Sequence, residues 1–145
     1  KIRYEKTMEN GMNKKVTEPY LVDALSFTEA EARIIEEMTP FISGEFTVSD
    51  IKRANYSELF PCEEDAADRW FKCKLVFITL DEKSGAEKKT STQVLVQAAD
   101  LRDAVKKLDE GMKGTMADYQ IASVAETAIM DVYPYSAEPN DKPEV

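Results

Sequence analysis

The sequence NGMNKKVTEPYLVDA (residues 10–24) returns in altered form 74 positions later as SGAEKKTSTQVLVQA (residues 84–98). When residues 11–38 are aligned with residues 85–112, nine of 28 positions are identical. Unrelated segments would share about two, given everyday residue frequencies of several per cent each. Any two segments with the same strand and helix pattern share apolar positions, but paired glycines, paired lysine doublets and paired capping residues in one register are not explained that way. We therefore predict an internal duplication.

The first copy is predicted to be a ββαβ unit. Residues 2–8 and 15–25 form a hairpin turned at Asn10–Gly11, because glycine supplies the positive φ angle of a tight turn. Ser26 is predicted to be the N-cap of a helix, and Glu29 follows at capping-box spacing. Residues 45–60 are predicted to be a long, irregular third strand. The helix buries one apolar stripe formed by Phe27, Ala30, Ile34, Met38 and Phe41.

The second copy repeats these steps. Residues 70–80, rich in aromatic and β-branched residues, and residues 88–98 form its hairpin. Asp100 takes the N-cap position and Asp103 the position of Glu29. The stripe of its helix is Leu101, Ala104, Leu108 and Met112, at the same offset of 74 residues.

The fold class that follows is α+β, with two helices packed on mainly antiparallel sheet and pseudo-twofold symmetry. A unit of about 60 residues buries too little surface to be comfortably stable alone. We therefore expect one domain at residues 1–135, with repeat 1 at 1–61, a linker at 62–69 and repeat 2 at 70–135. Residues 136–145 carry two prolines and four charges without periodicity, and they are expected to be a flexible acidic tail.

The composition restricts the classes of function. The formal net charge is −9 and is spread along the 145 residues, which opposes nonspecific binding to nucleic acid or to anionic membranes. No apolar run approaches the roughly 20 residues of a membrane-spanning helix. Two cysteines allow at most one disulfide, and Cys73 is expected to be a small buried apolar residue. A cytoplasmic location is the default expectation.

No catalytic, cofactor-binding or metal-binding residue is predicted. The sequence has no histidine, which removes the commonest proton shuttle and metal ligand. Phosphate-binding glycine motifs are missing, and Cys62 and Cys73 lack the companions that a metal site requires. Solvent exposure accounts for the acidic pairs Glu36–Glu37 and Asp81–Glu82.

The lysine doublets Lys14–Lys15 and Lys88–Lys89 are the most suggestive polar feature because they recur in register. Two basic hairpins could bind an anion, a phosphate or an acidic partner. The alternative, which we favour, is that these lysines protect exposed strands from edge-to-edge aggregation.

A second polar feature lies in the third strands, where Arg53 and Glu126 occupy equivalent positions of the two copies. If these strands meet near the pseudo-dyad, the two side chains could pair, or they could line a polar cleft between the copies. Structural pairing or simple exposure is the simpler interpretation, and the cleft is the alternative, since clefts between packed units often bind ligands.

The aromatic residues Trp70, Phe71 and Phe77 invite comparison with sheets that stack RNA bases. Both faces of residues 70–80 are apolar apart from Lys72 and Lys74, so burial explains the run.

The strings YLVDALSFTEAEARIIEEM, GEFTV, FITLDEKSGAEKKT and ETAIMDVYPY together resemble a bacterial family over residues 1–135. The family consists of small proteins of Bacteroides-type bacteria and is called domain of unknown function 4494. The resemblance implies a cytosolic bacterial protein, and it supplies no activity, cofactor or catalytic residue.

These observations favour a non-enzymatic module that binds a protein partner or a small ligand, and that could form a homo-oligomer. Its binding surface would be the open polar face of the third strands or a sheet edge. An enzyme or a small-molecule site in the cleft between the copies, at Arg53 and Glu126, is one alternative. An acidic mimic of nucleic acid is another, which would require carboxylates massed on one face.

Overall fold

A computed structural model describes residues 1–134 of the chain. These residues form two compact units. Unit 1 consists of Lys1–Arg53 and the segment that begins at Ile129, and unit 2 consists of Ala54–Ala128. The expected tail at residues 136–145 lies outside the described residues.

The described residues contain nine strands and two helices. In chain order they are β1 (Ile2–Thr7), β2 (Asn13–Glu18), β3 (Leu21–Val22), α1 (Phe27–Met38), β4 (Phe46–Val48), β5 (Glu58–Phe60), β6 (Arg69–Leu80), β7 (Glu87–Ala98), α2 (Leu101–Gly111), β8 (Asp118–Glu126) and β9 (Val132–Tyr133). The prediction of a mixed fold with two helices and mainly antiparallel strands is confirmed.

Unit 1 contains a three-stranded antiparallel sheet in the order β2-β1-β4. Its core consists of Ile2, Ile34 and Met38, surrounded by half-buried aromatic residues that include Tyr4, Tyr20 and Tyr133. The β1–β2 turn contains Gly11 with a φ angle of 82°, as predicted for this glycine.

Unit 2 contains a four-stranded sheet in the order β5-β7-β6-β8. Along β6, Phe71, Cys73 and Leu75 alternate with exposed lysines and are almost fully buried. They form one cluster with Ala104 and Leu108 of α2. The expectation that Cys73 is buried is confirmed, and burial raises the pKa of its thiol to about 11.

Each unit contains one short pair of parallel strand segments. In unit 2, β5 runs parallel to β7, with Leu59 opposite Leu95. In unit 1, β9 runs parallel to β3, with Leu21 opposite Val132. The β9 segment is also held by the guanidinium of Arg33, which donates to the carbonyl oxygen of Pro134 at 3.1 Å.

Both helices begin at the predicted N-caps, and in each the carboxylate three residues later bonds back to the N–H of the residue before the N-cap. The Glu29 N–H donates to Ser26 Oγ at 3.1 Å, and the Leu25 N–H donates to the Glu29 carboxylate at 3.3 Å. In α2 the Asp103 N–H donates to Asp100 Oδ1 at 2.8 Å, and the Ala99 N–H donates to the Asp103 carboxylate at 3.0 Å. Each cap therefore satisfies one N–H of the first helical turn and the N–H of the residue that precedes the N-cap.

Several local predictions are wrong. Residues 15–25 are not one strand, since β2 and β3 belong to different sheets, and Leu101 of the second stripe is exposed. Residues 45–60 are not one long strand, since β4 and β5 are separated by irregular backbone at residues 49–57 and belong to different sheets. Phe41 is not part of the buried stripe, because α1 ends at Met38 and the Phe41 side chain is 74% exposed. Phe27 is the first residue of α1 and is 60% exposed, so the buried stripe is shorter than its sequence pattern.

Loss of either cap should destabilise its own unit. We expect Ser26→Ala and Asp100→Ala each to lower the free energy of unfolding by about 1 kcal/mol, because each leaves a helix N–H without its acceptor. Urea denaturation followed by circular dichroism measures this change. Thr28→Ala, in the exposed first turn of α1, is the control and should have no such cost. Equal stability of all three variants would contradict the role of the caps.

Candidate functional site

The face of the unit 2 sheet that points away from the α2 cluster carries polar side chains in its middle. Lys72 and Lys74 on β6 are exposed, whereas Trp70 on the same face is only 4% exposed. Lys74 lies opposite Gln93 of β7 in the strand register, so their side chains are neighbours on this face.

A polar groove lies beside these residues, at the part of β7 that precedes its pairing with β5 at Val94–Val96. We call it the Lys74 groove, and it is lined by residues 55–57, Lys74 and residues 91–93. Its volume is about 680 Å³. This volume lies within the range of roughly 300–1,000 Å³ that is typical of small-molecule sites.

Hydrogen bonds hold the 55–57 segment against β7. The Ser57 N–H donates to the Gln93 carbonyl oxygen at 2.8 Å, and Ser57 Oγ donates to the same oxygen at 3.2 Å. The Thr92 hydroxyl donates to Ser57 Oγ at 2.8 Å. One wall of the groove is therefore fixed to the sheet before any ligand is present.

The electrostatics of the Lys74 groove differ from those of the chain as a whole. Its lining contains hydroxyl, amide and phenol groups and one ammonium group, without a carboxylate. Within residues 1–134, the Lys74 ammonium takes part in no salt bridge. Burial raises the pKa of the Tyr56 phenol, which therefore remains a neutral hydrogen-bonding group near pH 7.

A second groove of about 670 Å³ lies at the end of β5 and is lined by residues 60–64, Lys107 and residues 110–111. Its lysine is already paired, because Lys107 Nζ lies 2.6 Å from the Asp103 carboxylate and 3.2 Å from the Glu64 carboxylate. The hydrogen bond with Asp103 raises the pKa of Lys107. The N–H of Ala99 and then the Lys107 ammonium lower the pKa of Asp103. The charge of Lys107 is therefore already neutralised by these carboxylates, which leaves this groove less suited to an anionic ligand.

Unit 1 has a different polar cluster around Glu18. The Tyr4 hydroxyl donates to the Glu18 carboxylate at 3.0 Å, and the Tyr20 hydroxyl donates to it at 3.3 Å. Lys6 lies 3.8 Å from the same carboxylate, whose side chain is 13% exposed. Burial, together with Glu18, raises the pKa of both phenols, so the cluster remains a structural hydrogen-bond network at neutral pH.

The lysine doublets lie on open strand edges. Lys14 and Lys15 are on β2, which is an edge strand of its sheet. Lys88 and Lys89 are on the part of β7 that precedes Val94–Val96, the stretch paired with β5. These positions fit protection against edge-to-edge pairing, while an anion-binding role for the doublets remains a prediction.

Arg53 and Glu126 are both exposed, and each is assigned within its own unit. Arg53 lies in the irregular segment after β4. Glu126 ends β8, and its carboxylate lies 3.8 Å from the guanidinium of Arg69. The suggested pairing of Arg53 with Glu126, or a cleft lined by them, remains a prediction.

Sequence reasoning missed the Lys74 groove. The signal it contained was the pair of lysines that interrupts an otherwise apolar strand, at Lys72 and Lys74. The other wall could not be found, because residues 55–57 were predicted to continue a strand and instead form the irregular segment that bounds the groove.

No group of three or more metal-ligating side chains occurs within residues 1–134. The helices of this part of the chain are too short and too polar to cross a membrane.

A protein-family model called Domain of unknown function (DUF4494) matches residues 1–135. The chain therefore belongs to this family, in agreement with the resemblance seen in its sequence. No curated protein and no solved structure matches the chain.

Gly111, which lines the second groove, lies too close to Phe60 to carry a side chain. A Cβ atom added at Gly111 would lie 2.8 Å from the ring of Phe60 on β5, closer than such atoms approach in proteins. We expect Gly111→Ala to lower the melting temperature, with a cost of about 1–3 kcal/mol from overpacking that exceeds the gain in helix propensity. Gly44→Ala is the matched control, because nothing lies within 4 Å of its added Cβ atom. A Gly111→Ala variant as stable as wild type would show that α2 does not approach β5 so closely.

Proposed function

We propose that this protein is a non-enzymatic binding module and that its partner is a protein that adds an extended segment to the outer edge of β8. The observation that carries this proposal is the position of β8. It is a nine-residue strand at the margin of the four-stranded sheet, and within residues 1–134 no strand pairs with its outer side. Exposed backbone groups at a sheet edge are a recurring recognition surface for extended peptides.

The chemistry of this edge differs from that of the β2 edge and the open part of β7, and the other marginal strands of these sheets, β4 and β5, are only three residues long. The β2 edge and the open part of β7 carry lysine doublets, which discourage strand addition. Strand β8 has the sequence DYQIASVAE, which contains neither lysine nor proline. This contrast supports β8 as the edge that accepts a partner.

A bulge restricts the pairing surface to part of β8. The register with β6 shifts between Lys74 and Leu75, which leaves Ala122 as an extra residue in β8. The bulge separates the regular stretches Asp118–Ile121 and Ser123–Glu126, and we assign the partner to the first of them. Side chains on this stretch alternate, with Tyr119 and Ile121 half-buried toward the α2 cluster and Asp118 and Gln120 exposed.

Charge and apolar surface near this stretch specify the class of partner. Met116, just before β8, is 97% exposed and offers an apolar contact. Asp118 and Asp109 supply negative charge, and the Asp109 carboxylate accepts a hydrogen bond from Tyr119 at 3.4 Å. The partner that fits is an extended segment in which apolar residues alternate with basic residues.

A second copy of the chain fits this edge less well. Residues 114–134 contain three acidic residues and no lysine or arginine, so β8 paired with β8 would bring like charges together. The homo-oligomer suggested by the sequence would therefore need another surface.

We also propose that the architecture arose by internal duplication. The two helix N-caps are offset by 74 residues, and the pairs Ile2–Val48 and Leu75–Ile121 are offset by 73 residues in both members. In the same alignment Leu21 corresponds to Leu95, and Leu59 corresponds to Val132. The parallel pair Leu21–Val132 is therefore equivalent to the parallel pair Leu59–Leu95. These correspondences support two copies of one ββαβ unit. We also propose, from the family resemblance, that the protein is bacterial and cytoplasmic.

The partner proposal is tested by selecting peptides from a random display library on the wild-type chain. We expect enriched sequences that alternate apolar and basic residues and that protect the amides of Asp118–Ile121 from hydrogen exchange. Gln120→Lys adds to this edge the lysine that the other edges carry, and it should weaken binding of a selected peptide at least tenfold. Thr90→Lys adds the same charge on β7, across the sheet, and should leave binding unchanged.

Two results would contradict the proposal. One is a selected peptide that binds Gln120→Lys as tightly as wild type. The other is a bound peptide that protects amides elsewhere and leaves those of β8 exchanging at their free rate.

A further inference from the structure

We propose that the Lys74 groove is a second, independent binding site, for a small hydroxyl-rich molecule that carries one anionic group. The proposal does not depend on the partner at β8. It concerns a groove formed by β6, β7 and the segment before β5, and not the outer edge of β8.

The anionic group is inferred from the only charge in the groove lining. Lys74 is exposed, lies within no salt bridge of residues 1–134, and faces a lining without carboxylates. Lys107, which lines the other groove, is instead paired with Glu64 and Asp103. A single ammonium suits one carboxylate or one phosphate, because each charge-assisted hydrogen bond it donates is stronger than a neutral one.

The hydroxyl-rich part of the proposed ligand is inferred from the uncharged polar side chains of the groove lining. Ser57 and Thr92 are committed to each other and to the Gln93 carbonyl oxygen. The side chains of Asn55, Ser91 and Gln93 make no hydrogen bond to another side chain or backbone group within residues 1–134. They therefore present amide and hydroxyl groups that can both donate to and accept from ligand hydroxyls.

The geometry of the wall favours binding. The hydrogen bonds of Ser57 hold the 55–57 segment on β7, so the groove exists before the ligand arrives. A preformed site loses less conformational entropy when the ligand binds. The half-buried phenol of Tyr56 offers a ring surface against which a sugar-like body can pack.

The test uses the full chain, isotope-labelled for nuclear magnetic resonance, and three probes of similar size. Gluconate carries a carboxylate, glucose 6-phosphate carries a phosphate, and glucose is the neutral match. We expect at least one of the two anions to shift the amide signals of residues 55–57 and 91–93, and glucose to bind at least tenfold more weakly. The anion that binds more tightly identifies the preferred charged group.

Paired variants assign the charge to one lysine. Lys74→Gln should weaken binding of the preferred anion at least tenfold, whereas Lys72→Gln should retain it. Lys72 is the matched control because it lies two residues away on the same face of β6 and does not line the groove. Both side chains are exposed, so neither change should disturb folding, and the melting temperature checks this.

Three results would overturn the proposal. They are the absence of shifts with every probe, equal affinity for glucose and the anions, and unchanged binding by Lys74→Gln. The β8 variant Gln120→Lys should retain anion binding, so failure of the groove and failure of the β8 edge are separate outcomes.

Discussion

The parallel pairing of β5 with β7 and of β9 with β3 is the constraint on which both units depend. Strand β5 is three residues long and β9 two, and they bring Phe60 and Tyr133, respectively, against a core. Main-chain hydrogen bonds anchor them, and each aromatic ring buries apolar area against its core. Because β9 lies near the end of the described chain and β3 near its beginning, unit 1 closes only when distant segments meet.

The open surfaces of unit 2 follow from the shortness of β5. It covers Val94–Val96 of β7, and within residues 1–134 no strand pairs with the preceding residues of β7 on that side. The chain before β5 must still approach β7, and it does so through Ser57 rather than through a regular ladder. The space that this irregular approach leaves is the Lys74 groove.

Charge operates locally in this protein. The net charge of −9 predicts repulsion of anions at long range, yet the Lys74 groove contains a cation and no carboxylate in its lining. At the other groove, Asp103 and Glu64 neutralise Lys107. Because screening in physiological salt limits electrostatic effects to about 8 Å, the nearest side chains decide what each groove can bind.

The sequence by itself determined the features that depend on a few neighbouring residues. Gly11 predicted its turn, Ser26 and Asp100 predicted the helix starts, and the apolar run around Cys73 predicted that this residue is buried. Only the tertiary structure decided that residues 45–60 break into two strands of different sheets, and that Lys74 and Gln93 line one groove with residues 55–57. The physical reason is range: caps and turns are made by groups within a few residues of each other. Strand pairing and the surroundings of a side chain depend instead on segments far away in the chain.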